Sequence, residues 1–159
     1  MGAALGADMN PIRQILVATD FSEQSREALD YAAQLARPFG AAIDILHIWE
    51  VPTFVPAGGA AGFGNASLFE MISKGAEEAL NKFVDDASKR EISVRFAKTE
   101  AGAPAYRITE VAKEGGYDLI VVGTHGRTGL SRVLLGSVAE NVVRHAPCPV
   151  LAVRMRTEA

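Results

Sequence analysis

Hydrophobic positions follow two patterns along this chain. Short, continuous apolar runs rich in β-branched residues are typical of strands that are buried on both faces of a sheet. Between these runs, alanine and other apolar residues recur every three or four positions, which predicts amphipathic helices. The five predicted strands are Ile12–Thr19, Ala42–Trp49, Ile92–Ala97, Leu119–Val122 and Val150–Arg154.

Local start and stop signals separate these strands from the helices. Ser22 predicts the N-cap of the first helix, and the sequence Pro38-Phe-Gly40 predicts its end. Pro104 suits the first position of the third helix, which Gly115-Gly116 should terminate. The order alternates strand and helix throughout. This order predicts the α/β class, with a doubly wound parallel sheet and helices on both of its faces.

Length and composition favour one globular domain. The chain has 159 residues, of which 48% are hydrophobic, so it can bury a sizeable core. Residues 50–66 hold two prolines and four glycines, and a loop of this length is usually either functional or disordered. We expect a flexible leader over residues 1–10, a single domain over 11–156 and, within it, a flexible loop over 50–66.

Charge and cysteine content narrow the possible partners. The net charge is −3 and no basic tract occurs, so nucleic acid is not expected as a partner. No apolar run approaches the ~20 residues of a membrane span, and no membrane association is expected. Cys148 is the only cysteine, which excludes an internal disulfide and fits a cytoplasmic protein. It has no evident histidine or aspartate partner nearby in sequence, which disfavours a nucleophilic role.

A glycine-rich stretch, Gly123 to Gly129, follows the fourth strand, and Gly136-Ser137 precedes a short helix that ends near His145. Glycines between a strand and a helix allow close approach of the backbone, and a helix N-terminus offers N–H groups to a phosphate. The stretch contains neither a P-loop nor a dinucleotide-binding fingerprint. Arg127 could pair with a phosphate or remain solvated, and His125 is the one histidine within this loop.

Three segments should meet at the carboxyl edge of the sheet, where ligands of such folds bind. They are Ala18-Thr19-Asp20, His47-Ile48-Trp49 and the glycine-rich stretch. The Asp20 carboxylate could accept from a ribose hydroxyl, a base nitrogen or a metal-bound water. His47 lies in an apolar strand, where a structural role is the commoner one.

Each of these features also has a purely local interpretation. Ser137 and Glu140 have the spacing of a capping box, which would satisfy the helix N-terminus without a ligand. Asp20 could cap the turn that follows it, and the glycines could be ordinary turn residues. The binding hypothesis rests on their occurrence together at one edge of the sheet.

Several ordered motifs resemble the universal stress protein family. The spacing Gly123-x2-Gly126-x9-Gly136-Ser137 matches the ATP-binding signature of that family. The resemblance covers about Ile12 to Arg154. Further motifs that carry it are Ile15-Leu-Val-Ala-Thr-Asp20-Phe-Ser, Ile45-Leu-His-Ile48, Gly102-x-Pro104, Asp118-Leu-Ile-Val-Val-Gly-Thr-His-Gly126 and Pro147-x-Pro149-Val-Leu.

The resemblance implies a Rossmann-like sheet of five parallel strands in the order 3-2-1-4-5, as in adenine nucleotide α-hydrolases. It implies binding of ATP, or of ADP or AMP, with Mg²⁺ held mainly through the phosphates. The backbone of Ile48 would recognise the adenine edge, Ala18 and Thr19 would line the base pocket, and Asp20 would approach the nucleoside. The candidate binding residues are Ala18, Thr19, Asp20, Ile48, Gly123, Thr124, His125, Gly126, Arg127, Gly129, Gly136, Ser137 and Val138.

The resemblance further implies a homodimer formed through the C-terminal strand, residues 150–154. The function it implies is that of a nucleotide-dependent switch or sensor in a stress response. Two alternatives remain open at this stage, a slow ATPase or phosphotransferase and a ligand-free interaction module. No lysine follows the glycine-rich stretch to reach a terminal phosphate, so at most weak ATP hydrolysis is expected and no catalytic residue is assigned.

Overall fold

The computed structural model of the protein describes residues 11–51, 65–124 and 135–155. Nine helices and strands alternate along these residues, in the order predicted from the sequence. They are β1 (Gln14–Ala18), α1 (Glu23–Phe39), β2 (Ala42–Trp49), α2 (Asn65–Lys89), β3 (Phe96–Ala101), α3 (Pro104–Gly115), β4 (Leu119–Gly123), α4 (Ser137–His145) and β5 (Val150–Val153).

All five strands form one parallel sheet in the order β3-β2-β1-β4-β5, which confirms the predicted fold class and strand order. The central strand β1 pairs with β2 on one side and with β4 on the other, so Val17 lies beside both Ile45 and Val121. The strand order reverses between β1 and β4. That point is the topological switch point at which such sheets bind ligands.

Two apolar cores cover the two faces of the sheet. Alternate residues of β1 point to opposite faces, so Ile15 and Val17 join one core while Leu16 and Ala18 join the other. The first core also holds the apolar faces of α1 and α2, and the second holds those of α3 and α4. Burial on both faces explains why the central strands are continuous apolar runs.

The predicted helix boundaries follow from local chemistry. The Ser22 hydroxyl caps α1 by accepting from the Ser25 N–H at 3.3 Å. Gly40 ends α1 with a φ of 61°, a left-handed conformation that costs glycine little. Pro104 opens α3 and Gly116 ends it in the same way.

The third predicted strand was wrong in its position, because β3 spans Phe96–Ala101 rather than residues 92–97. Ile92 is buried, and its N–H donates to the Ala87 carbonyl at the end of α2. Its apolar side chain therefore packs the connection after α2 against the core. Pairing with β2 starts later, and Phe96 at the beginning of β3 is 52% exposed.

The helix α2 begins at Asn65, so the last two residues of the predicted loop 50–66 are helical. The predicted leader 1–10 and residues 52–64 of that loop lie outside the described residues, as do residues 156–159. None of the described helices combines the length and apolar character that crossing a bilayer requires.

Candidate functional site

The parallel register brings the ends of β1, β2 and β4 to the same edge of the sheet. Ala18 lies between Leu46 of β2 and Val122 of β4, and the Thr19 N–H continues the ladder to the Leu46 carbonyl at 2.9 Å. Ile48 is buried near the end of β2. The described residues of the three segments predicted to form the site are therefore collected at this edge.

Asp20 organises the turn that leads from β1 into α1. Its Oδ1 accepts from the Ser22 N–H at 3.0 Å and from the hydroxyls of Ser22 and Ser25, both at 2.5 Å. Burial raises the pKa of Asp20, but these hydrogen bonds lower it by more, so the pKa lies below its usual value. The local interpretation of Asp20 as a turn cap thus describes its Oδ1 contacts. The carboxylate is also a charged acceptor at the sheet edge.

Phe21 holds this turn in place, and sequence analysis did not identify it. Its backbone has a φ of 66°, which is unfavourable for a residue with a side chain, and its N–H donates to Thr19 Oγ1 at 2.9 Å. The Phe21 ring lies 4.2 Å from the His47 ring, and His47 Nδ1 lies 2.8 Å from the Thr19 carbonyl oxygen. His47 therefore has a structural contact, as predicted. No feature of the sequence predicts that the backbone of Phe21 adopts the left-handed conformation.

The end of β4 is tied directly to the start of α4. The Thr124 N–H donates to the Val153 carbonyl at 2.9 Å, and the Thr124 carbonyl accepts from the Gly136 N–H at 2.6 Å. Thr124 itself is buried. This pair of bonds fixes the helix N-terminus beside the carboxyl ends of β4 and β5.

The predicted capping box at Ser137 is wrong. Ser137 is the first residue of α4, Gly136 is the N-cap, and no side chain caps the helix among the described residues. Because the helix starts one residue earlier, Glu140 no longer occupies the capping position, and it pairs instead with Arg144 at 2.8 Å. The Ser137 carbonyl accepts from Asn141 Nδ2 at 2.9 Å.

Since no described side chain caps the start of α4, this helix end can receive an anion. The first N–H groups of a helix have no partner within it, and the helix dipole favours negative charge there. Ser137 and Val138 are both exposed at this end of α4. His125, Gly126, Arg127 and Gly129, which were predicted to complete this part of the site, lie outside the described residues.

Gly123 is the last residue of β4 rather than a turn residue. A Cβ at this position would lie 3.3 Å from Cβ of Gln24 and 3.5 Å from its backbone. The close passage of α1 over the end of β4 therefore requires a small residue here.

A cavity of about 590 Å³ lies between the first turns of α3 and one side of α4. Ser137 and Val138 line it, so it adjoins the predicted phosphate-binding end of the site. Sequence analysis missed the contribution of α3, because the meeting of two helix faces far apart in sequence is a product of the fold. Among the described residues, no group of three or more His, Cys, Asp or Glu side chains could hold a metal ion.

Cys148 offers little as a nucleophile. Burial raises the pKa of its thiol, and the negative charge of Asp118 raises it further. A thiol with a raised pKa carries less of the reactive thiolate at neutral pH. The Cys148 thiol is therefore a weaker nucleophile at neutral pH than an ordinary cysteine.

Comparison with known proteins identifies the family of this chain. The sequence model of the Universal stress protein family matches residues 11–154. Universal stress protein MJ0531 of Methanocaldococcus jannaschii is 38% identical over 146 residues, covering 91% of this chain and 84% of that protein.

Solved structures support the same family assignment. That of the hypothetical protein MJ0577 matches with a TM-score of 0.74 and 28% identity, covering 94% of this chain and 100% of that chain. A universal stress protein in complex with cAMP matches with a TM-score of 0.61 and 28% identity, covering 91% of this chain and 98% of that chain. Sequence, strand order and three-dimensional similarity coincide over nearly the whole chain, and the protein therefore belongs to the universal stress protein family.

Proposed function

We propose that this protein binds an adenine nucleotide, ATP in the first instance, across the carboxyl edge of its sheet. The observation that carries this proposal is the bond from Gly136 to Thr124 at 2.6 Å, which holds the N-terminus of α4, capped by no described side chain, beside the carboxyl end of β4. The cAMP complex of a family member with 28% identity supports the choice of an adenine nucleotide. We further propose that the bound nucleotide switches the protein between states in a stress response.

In this proposal the base lies at the ends of β1 and β2. The Ile48 backbone recognises the adenine edge, while Ala18 and Thr19 line the base pocket. Asp20 accepts from the nucleoside, because a carboxylate is ionised at neutral pH and hydrogen bonds lower the pKa of this one further. Oδ1 already has three donors, so Oδ2 is the oxygen that accepts from the ligand.

The phosphates lie at the start of α4, against Gly136, Ser137 and Val138. The absence of a side-chain cap in the described part of α4 fits this role, because the backbone N–H groups remain available to anionic oxygens. Mg²⁺ would be held mainly by the phosphates and by water. This arrangement is usual for a cation that dehydrates reluctantly.

We also propose a homodimer formed through β5. The sheet has two edges, β3 and β5, and the two differ in charge. The β3 edge carries Lys98 and Glu100, which form an ion pair and thereby discourage pairing with another chain. The four residues of β5 are all apolar, and three of them are only partly buried. Pairing of this edge with a second copy of the chain therefore buries apolar surface.

Calorimetric titration with ATP and Mg²⁺ tests the nucleotide site. The variant Asp20→Asn keeps an acceptor for the turn but removes the charge. It is expected to weaken the binding of ATP about tenfold. The matched control is Asp118→Asn. Asp118 accepts from the Arg13 and Gln14 N–H groups at 2.8 and 2.9 Å, so it has a similar bonding role at the opposite edge of the sheet.

Equal weakening by both variants would contradict the proposed location of the site. Failure of ATP, ADP and AMP to bind at millimolar concentration would contradict the nucleotide proposal altogether. Light scattering after size-exclusion chromatography tests the dimer, which should have twice the chain mass of 16.9 kDa. A monomer at high concentration would refute pairing through β5.

A further inference from the structure

The cavity between α3 and α4 adjoins only one end of the proposed nucleotide site. It shares Ser137 and Val138 with that site, and these residues lie where the phosphates are proposed to end. Among the described residues, Asp20 and Ile48 do not line it. In the proposed binding mode the base lies at β1 and β2 and the phosphates at α4, which puts the cavity beyond the outermost phosphate.

The size of the cavity suits a second group of substantial dimensions. Its volume of about 590 Å³ falls within the range of roughly 300–1,000 Å³ that is usual for small-molecule sites. The nine residues of α4 span about 13 Å, and both Ser137 at its start and His145 at its end line the cavity. A phosphate at the start of α4 therefore leaves most of this length open.

The lining divides into an apolar part and a polar part. Pro104, Tyr106 and Val138 supply apolar surface, and Tyr106 is 63% exposed, so one side of a planar ring is accessible. Glu110 and Asn141 supply hydrogen-bond acceptors. A carboxylate at this position disfavours a further phosphate but suits a ligand that carries hydroxyl groups.

We infer that this cavity takes a nucleoside attached to the outermost phosphate, so that the protein binds dinucleoside polyphosphates. The inference rests on the proposed function, because the phosphates of the first nucleotide must lead from α4 into the cavity. The base of the second nucleoside stacks on Tyr106, and its ribose hydroxyls donate to Glu110 and Asn141. Base–aromatic stacking tolerates any base, so the second base need not be adenine.

Calorimetry with three ligands separates this inference from the proposed function. ATP reports the first site, diadenosine tetraphosphate adds the second nucleoside, and adenosine tetraphosphate has the same number of phosphates without it. The dinucleotide is expected to bind about tenfold more tightly than adenosine tetraphosphate, the size of effect expected for stacking of one base.

The variant Tyr106→Ala should abolish this difference and leave ATP binding unchanged, while Tyr106→Phe should retain it. The fold tolerates the alanine because Tyr106 is exposed and its carbonyl, which accepts from Thr109 Oγ1 at 2.8 Å, is unaffected. The matched control is Phe39→Ala, which removes an aromatic ring of similar exposure, 54%, at the end of α1. It should change none of the three affinities.

Equal affinities for diadenosine tetraphosphate and adenosine tetraphosphate would overturn the inference. So would an equal loss of ATP and dinucleotide binding in Tyr106→Ala, because Tyr106 would then belong to the wall of the ATP site. If ATP binds and the dinucleotide has no advantage, the proposed function stands and the inference alone fails. If none of the three ligands binds, both fail.

Discussion

Replacing Asp20 with alanine removes the acceptor on which the turn between β1 and α1 converges. Oδ1 of Asp20 has three donors, the N–H of Ser22 and the hydroxyls of Ser22 and Ser25. Each hydrogen bond contributes about 1 kcal/mol net, so the free energy of unfolding should fall by about 3 kcal/mol. Compensation by water is limited, because Ser25 is only 4% exposed.

The pH dependence gives this prediction a second, independent readout. Burial raises the pKa of Asp20 but hydrogen bonds lower it by more, so its pKa in the folded protein lies below 3.8. A group with a depressed folded pKa contributes stability above its unfolded pKa and loses it as the pH falls through the folded pKa. The stability difference between the protein and Asp20→Ala should therefore be constant near neutral pH and shrink below about pH 4.

Urea unfolding followed by circular dichroism at about pH 7 and pH 3 measures both quantities. The matched control is Asp30→Ala, which removes an α1 carboxylate paired with Arg90 on the surface and should cost less than about 1 kcal/mol. The reasoning is refuted if Asp20→Ala costs no more than Asp30→Ala at neutral pH. It is also refuted if the loss for Asp20→Ala is undiminished in acid.

Three further predictions concern other parts of the fold. Burial and the hydrogen bond to Asp44 raise the pKa of Tyr117 to about 12, so stability should fall between about pH 10 and 12, and Tyr117→Phe should abolish that slope in alkaline unfolding experiments. Glu91 is exposed with a φ of 59°, so Glu91→Gly should raise the free energy of unfolding by about 1 kcal/mol, whereas Glu91→Ala should leave it nearly unchanged. Gly102 has a φ of 150° and a Cβ there would lie 2.7 Å from Arg107 Cγ, so Gly102→Ala should lower thermal stability; an unchanged melting temperature would contradict this packing.

Local signals predicted most elements because they coincide with constraints that act within a few residues. The capping hydroxyl of Ser22 and the left-handed Gly40 act on their own helix ends, and Pro104 suits the first turn of a helix. The bounds of β2 were correct at both ends, since a strand covered on both faces leaves a continuous apolar run.

Predictions failed where a residue makes its decisive contacts far away in sequence. Ile92 has the alternation of a strand residue, but its side chain packs into the core beneath α2 and its N–H closes that helix. Ser137 has the spacing of a capping box, but the bond between Gly136 and Thr124 fixes the start of α4 one residue earlier. Periodicity and spacing carry no information about such partners.

The candidate site likewise combines features that the sequence predicted with features that it did not. The sequence predicted where its residues lie, because Asp20 follows β1, Ile48 lies near the end of β2 and Gly123 ends β4, all at one edge of a parallel sheet. The left-handed Phe21 that holds the Asp20 turn, and the cavity that Tyr106 shares with Val138, were not evident.

The sequence by itself determined the alternation of elements, the parallel sheet and the edge at which a ligand should bind, because burial patterns and caps are local properties. Only the tertiary structure decided that α4 begins beside Thr124 with no described side chain as its cap, and that α3 and α4 line an open cavity next to it. These features arise from the packing of segments separated by many residues. No single stretch of the chain contains both partners of such a contact, so local patterns could not predict them.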